Sequence, residues 1–104
     1  FQGCKMGAKW STLYTEIPAA AATGKLDLRT QCHVSRVEHD DTGRVTGVVY
    51  FDAQGKEHRQ RARIVCVAGN SIETPRLLLL SASSKYPDGL ANSSGQVGRN
   101  YMRH

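Results

Sequence analysis

Cysteine and histidine are the residues of this chain whose side chains could bind a metal ion or attack a substrate. The three cysteines are Cys4, Cys32 and Cys66. Their odd number and wide spacing argue against a disulfide framework and against a zinc ribbon. Cys32 and Cys66 lie in apolar runs, where cysteines are usually inert core thiols. No catalytic or metal-binding residue is therefore assigned, and a cysteine- or metal-based activity through Cys4, Cys32-His33 and Cys66 is kept only as an alternative.

A candidate ligand site lies where an apolar run ends in glycine. Residues Ile64 to Ala68 show no polar alternation, which predicts a parallel strand covered on both faces. Gly69 follows, and glycine lets a ligand or a neighbouring backbone approach closely. Open α/β sheets bind nucleotides at the carboxyl ends of such strands. Ala68 and Gly69 are therefore candidate cofactor contacts.

The element after this turn is a predicted helix that begins at Thr74 or Pro75 and ends near Ala82. Proline is well tolerated in the first turn of a helix, and a leucine-rich run follows it. Glu73 and Thr74 are the expected capping residues.

The elements before the turn are predicted from alternation and turn residues. Leu26 to Thr30 and His33 to His39 alternate with period two, and the histidines of the second run are expected to be exposed. Two glycine-containing turns then separate further runs, which predicts a three-stranded antiparallel β-meander whose last strand continues into the apolar run. Nearer the start of the chain, Pro18 is expected to separate two short helices. The predicted organisation is loop and short helices over 1–24, strands over 26–68, a helix over 70–82 and a loop over 83–104.

Length and charge restrict the classes of function. At 104 residues the chain can form one small domain, and its formal net charge is +5. A basic cluster at Lys56, Arg59, Arg61 and Arg63 has no interleaved aromatic residues of the kind that stack on bases, so no nucleic-acid partner is expected. No apolar run is long enough to span a bilayer, and the sequence does not indicate a cellular compartment. A free-standing basic β-meander that binds a partner without catalysis is the alternative to an enzyme.

The amino-acid sequences of several segments resemble motifs of the glucose-methanol-choline family of FAD-dependent oxidoreductases. Ala68-Gly69, Thr74-Pro75, four leucines and Ser81 stand in the order of the family's second signature, although Ala82 replaces the usual glycine. Asn70-Ser71 before Ile72-Glu73 is similar to the gluconate and sugar dehydrogenase branch. Val97-Gly98-Arg99-Asn100 with His104 resembles a family loop that closes on histidine.

This resemblance implies a fold, a cofactor and a reaction. The fold is α/β, or α+β as an isolated piece, in which the meander and the strand-helix unit belong to a Rossmann-like FAD-binding domain. The chain starts at Phe1 and stops inside a motif, and it lacks the Gly-x-Gly-x-x-Gly fingerprint, so it is expected to be an internal piece of that domain that is inactive alone.

In the family, a strand residue at the position of Val34 offers its backbone to the adenine of FAD, and Ala68 and Gly69 lie near the adenosine or pyrophosphate. The implied reaction is oxidation of an alcohol, of sugar or polyol type, by hydride transfer to FAD. The resemblance places the catalytic histidine beyond this chain, so His104 is assigned no proton transfer.

Overall fold

The computed structural model describes residues 5–103, in two units divided after Thr30. The first unit contains helix α1, Glu16–Ala22, preceded by a turn over residues 12–15. The prediction of two short helices separated by Pro18 is therefore wrong. Pro18 is the third residue of α1, within the first turn, where a backbone N–H has no partner inside the helix and its loss breaks no helical hydrogen bond. The predicted strand from Leu26 to Thr30 is not formed.

The second unit is built on a three-stranded antiparallel sheet. Its strands are β1, His33–His39, β2, Val45–Phe51, and β3, Glu57–Arg61, and they lie in the order β1-β2-β3. The predicted meander is confirmed. Register shifts within β1 and β2 mark bulges at Ser35 and Thr46, which interrupt the regular alternation of side chains.

Two turns of the same design connect the three strands. In the first, the Oδ1 atom of Asp40 accepts hydrogen bonds from the backbone N–H groups of Thr42 and Arg44, each at 3.0 Å. In the second, Oδ1 of Asp52 accepts from Gln54 and Lys56, each at 2.9 Å. An aspartate that bonds to the backbone two residues further on is typical of an Asx turn. The turn chemistry lies within five consecutive residues, which is why the sequence predicts it well.

Helix α2, Glu73–Leu80, follows the sheet and contacts β1. The apolar run from Ile64 to Ala68 precedes it and is not a strand, contrary to the prediction. Its side chains are not covered on both faces, because Ile64 is 80% exposed whereas Val65 and Val67 are partly buried. A parallel strand needs a hydrogen-bonded neighbour, and the described part of the chain pairs none with this run.

The core of the described residues is small. Val37, Val49 and Leu90 are the buried hydrophobic residues, and Ser81 is the buried polar one. Two helices with a three-stranded sheet confirm the α/β class. Among residues 5–103, the helices are seven and eight residues long, and neither could cross a membrane.

Candidate functional site

The three residues predicted to contact a cofactor line one cavity. Val34 enters it from β1, and Ala68 and Gly69 enter it from the segment before α2. The cavity has a volume of about 370 Å³, within the size range of small-ligand sites. The remaining lining residues come from β1, from the segment before α2, from β2 and from α2, and they are His33, Val48, Val65, Cys66, Val67, Glu73, Thr74, Arg76 and Leu77.

Ser81 fixes the position of α2 against β1 beside this cavity. The side chain is only 3% exposed. Its Oγ accepts a hydrogen bond from the backbone N–H of Val37 at 2.8 Å and donates one to the carbonyl of Leu77 at 2.7 Å. One hydroxyl therefore joins the edge strand of the sheet to the last turn of the helix. The sequence gives little signal for this role, since a serine after a leucine run is equally typical of a helix end.

Asn70 closes the turn at the start of α2, a role that had been expected of Glu73 or Thr74. Its Oδ1 atom accepts hydrogen bonds from the backbone N–H groups of Ile72 and Glu73 at 2.8 and 2.7 Å, and its carbonyl accepts from Thr74 at 3.0 Å. The prediction that Glu73 or Thr74 caps the helix is therefore wrong, since the capping side chain is Asn70, three or four residues earlier. Asparagine favours such local bonds because its side chain is short and polar.

Gly69 lies close to the helix that follows it. A Cβ built at this position would lie 3.3 Å from Oγ1 of Thr74 and 3.5 Å from Cβ of Glu73. This separation is tighter than usual for a methyl group, so a larger side chain would have to displace Thr74 or enter the cavity. The small residues Ala68 and Gly69 thus keep one wall of the cavity open.

The charged residues of the cavity neutralise each other. The carboxylate of Glu73 accepts a hydrogen bond from Nε of Arg76 at 2.7 Å, one turn along the helix. Neither charge is left to attract a strongly charged ligand. The cavity, whose other lining residues include Val34, Val48 and Leu77, therefore suits a ligand part that is uncharged and partly apolar.

The histidines lie elsewhere and take structural roles. His33 is exposed as expected, but His39 is partly buried: its Nδ1 donates to the carbonyl of Asp40 and its Nε2 accepts from Oγ of Ser83, both at 2.8 Å. The ring also meets Tyr86 edge to face. The prediction that both are exposed is wrong for His39, because its ring contacts Ser83 and Tyr86 of the loop after α2.

His58 lies among polar residues beside a turn, as predicted. Its Nε2 donates to Oδ2 of Asp52 at 2.7 Å, and its ring stacks on that of Tyr50 with the centroids 5.2 Å apart. This histidine therefore secures the second turn of the meander.

The cysteines differ from expectation in one respect. Cys66 is exposed and lines the cavity, so it is not a core thiol, while Cys32 is partly buried. Within residues 5–103, no three His, Cys, Asp or Glu side chains are grouped as a metal site would require. Cys4 and His104 lie outside the described residues.

The β-meander, the glycine turn and the Thr-Pro helix stand in the order expected from the resemblance to an oxidoreductase family. The chain belongs to the GMC oxidoreductase family, whose pattern it matches over residues 1–104.

Curated relatives cover nearly all of the chain. It is 44% identical over 98% of its length to 2-methyl-1,2-propanediol dehydrogenase of Mycolicibacterium austroafricanum, and 39% identical over 97% to the fructose dehydrogenase large subunit of Gluconobacter japonicus. It is 35% identical over 94% to the gluconate 2-dehydrogenase flavoprotein of Pantoea cypripedii. The chain spans 18%, 18% and 16% of the lengths of these proteins.

Proposed function

We propose that this chain contributes to the FAD-binding domain of a dehydrogenase that oxidises an alcohol of sugar or polyol type. The observation that carries the proposal is the single cavity lined by Val34, Ala68 and Gly69. Membership in the GMC oxidoreductase family supports it over the alternative of a free-standing basic binding module. The names of three relatives describe dehydrogenases of a diol, of fructose and of gluconate, which supports the substrate class.

The residues of the cavity fit the adenosine part of FAD. A purine needs a narrow space between apolar walls and backbone groups at its edge. Val34 and Leu77 offer apolar walls. In addition, β1 is an edge strand of the sheet, so the backbone groups along its outer edge are not hydrogen-bonded to β2. The backbone of Val34 would then bind the edge of the adenine, while its side chain forms part of the apolar wall of the cavity.

The start of α2 argues for the nucleoside and against the pyrophosphate as the group bound here. Phosphates are often held by free N–H groups at a helix N-terminus. The N–H groups of Ile72 and Glu73 are already bonded to Asn70, and Glu73 adds a carboxylate to the first turn. An anion at this position would therefore find no free N–H donor and would lie near a carboxylate of the same charge. Ala68 and Gly69 therefore lie against adenosine in the proposed complex.

The part of the reaction assigned to these residues is binding and orientation. Bound FAD would supply the acceptor for the hydride of the alcohol carbon. The chain's own residues would hold the far end of the cofactor, with Ser81 fixing the distance between the two cavity walls. No residue of the chain is assigned a proton transfer, and the base belongs to the remainder of the protein.

Filling the cavity tests the proposal. In the full-length polypeptide, Ala68→Leu should lower the fraction of protein purified with FAD and raise the dissociation constant for FAD by about tenfold or more, equivalent to roughly 1.4 kcal/mol. Flavin absorbance per protein and titration of the flavin-free protein give both quantities. Ala68 is preferable to Gly69 for this test, since a Cβ at Gly69 also approaches Thr74.

Ala53→Leu is the matched control. Ala53 is exposed in the second turn of the meander, away from the cavity, and the substitution adds the same side chain. FAD content should stay unchanged in this variant. Normal FAD content and affinity in a correctly folded Ala68→Leu protein would refute the assignment of the cavity to the cofactor.

A further inference from the structure

We propose that a second cavity, formed by Arg44, Arg61 and Arg63, is a binding site for a phosphate-type oxyanion. It has a volume of about 390 Å³ and lies where the start of β2 meets the end of β3. Asp40, Val45, Thr46 and Ala62 complete its lining. It shares no lining residue with the proposed cofactor cavity. The three arginines are exposed, so a ligand can reach them from solvent.

Strand pairing is what brings the three arginines together. Arg61 is the pairing partner of Gly47, and the backbone N–H of Ala62 donates to the carbonyl of Thr46 at 3.0 Å. These contacts hold the end of β3 against the start of β2, immediately after Arg44. Gly47 makes this close approach possible, because a Cβ there would overlap the carbonyl oxygen of Gln60 and lie 2.9 Å from Cα of Arg61.

The arginines of this cavity differ in their ion pairing from three other arginines of the second unit. Arg36, Arg59 and Arg76 each have a carboxylate oxygen within 4.0 Å of a guanidinium nitrogen. Among the described residues, Arg44, Arg61 and Arg63 form no such ion pair. Three arginines thus line one cavity without a carboxylate partner among residues 5–103.

The carboxylate in the cavity is already engaged. Oδ1 of Asp40 accepts hydrogen bonds from the backbone N–H groups of Thr42 and Arg44 and from Oγ1 of Thr42 at 2.6 Å. It serves the turn and leaves the cavity with three positive charges against one negative charge. A guanidinium presents paired donors that match two oxygens of a phosphate or carboxylate. Three of them favour a compact anion with at least two negative charges, and phosphate has this chemistry.

The test is binding of inorganic phosphate and pyrophosphate to the full-length polypeptide. Calorimetric titration at constant ionic strength should show saturable binding. Arg61→Gln and Arg63→Gln should each weaken it by about tenfold, as expected for the loss of one charge-assisted hydrogen-bonded pair. The FAD content of both variants should be unchanged, so this result is independent of the proposed cofactor site.

Arg103→Gln is the matched control, since Arg103 is exposed and outside the cavity and the variant loses the same charge. Phosphate affinity should remain normal in this protein. The proposal is overturned if phosphate does not bind, if Arg103→Gln weakens binding as much as the cavity variants, or if chloride at equal ionic strength competes equally well. Binding of poly-L-glutamate without binding of phosphate would also overturn it and would indicate an acidic protein surface instead.

Discussion

At the scale of single residues, Ser81 links the fold to the candidate site. It is the buried polar residue of the described part of the chain, and its hydroxyl bonds to one strand and one helix at the same time. Burying a polar group costs free energy unless it is hydrogen-bonded. Both bonds are formed here, so the cost is offset and the hydroxyl fixes one geometry for two elements that contact each other.

Removing this hydroxyl should destabilise the protein. In Ser81→Ala the N–H of Val37 would be left buried without its acceptor, which should lower the free energy of unfolding by about 1 to 3 kcal/mol. Chemical denaturation of the full-length polypeptide measures the change. Ser84→Ala is the control, because Ser84 is exposed and three residues further along the chain. Equal stability of the two variants would contradict the role assigned to Ser81.

At the scale of elements, the two turns of the meander should make stability depend on pH. Hydrogen bonds lower the pKa of both aspartates, chiefly the bond from Thr42 for Asp40 and the bond from His58 for Asp52. A lowered pKa means that the folded state binds the proton less readily than the unfolded state. The stabilisation is therefore fully present above the unfolded value of about 3.9, and it is lost as the pH falls through the folded pKa.

Asp52→Asn should flatten this dependence. Asparagine keeps an oxygen that can accept from Gln54 and Lys56 but has no proton to gain in this range. Unfolding followed between about pH 6 and pH 3 should show a smaller loss of stability on acidification than in the unaltered protein. Asp41→Asn, at an exposed position within the first turn, provides the comparison. An unchanged slope in Asp52→Asn would show that this turn does not contribute to acid sensitivity.

The elements also show what the sequence can and cannot predict. The meander and helix α2 were predicted because their signals are local: alternation, an aspartate-glycine turn, and a proline in the first turn. The run from Ile64 to Ala68 was predicted as a strand and is not one, because strand formation needs a pairing partner, and composition alone does not supply it. The cap at Asn70 was missed because the helix was expected to begin at Thr74 or Pro75, which places Glu73 and Thr74 rather than Asn70 next to its start.

The candidate site was predictable only in part, for the same reason. Val34, Ala68 and Gly69 were predicted from strand ends and from family resemblance, and the structure brings them to one cavity. The arginine cavity depends on the register between β2 and β3. The sequence shows Arg61 and Arg63 two residues apart, but it does not place Arg44 beside them.

At the scale of the whole molecule, the described residues leave much apolar surface exposed. Trp10, Leu28, Ile64 and Ile72 are each more than half exposed, and Val49 is the one side chain among residues 5–103 with no exposure at all. Large apolar side chains that are exposed to this extent are available for contact with other protein. The chain spans 16% to 18% of the length of three curated relatives, and in the proposed enzyme the remainder would cover these residues.

This incomplete burial leads to the final prediction, that the 104-residue chain alone does not bind FAD tightly. The cofactor cavity has a volume of about 370 Å³ and is formed by β1, β2, the segment before α2 and α2, so it can enclose only part of the ligand. The N-terminus of α2 also offers no free N–H group for the pyrophosphate, since the N–H groups of Ile72, Glu73 and Thr74 bond to Asn70. Tight binding of a dinucleotide normally uses such a phosphate site together with the nucleoside pocket.

Titrating FAD into the isolated chain and following flavin fluorescence tests this prediction. We expect no stoichiometric quenching at concentrations below about 1 μM, where a specific site would give a free energy of binding near −8.2 kcal/mol or stronger. The flavin-free full-length polypeptide, titrated under the same conditions, is the positive control and should quench stoichiometrically. If both proteins bound FAD equally well, the 104 residues would hold a complete cofactor site, and the proposal that they contribute only the adenosine end would be refuted.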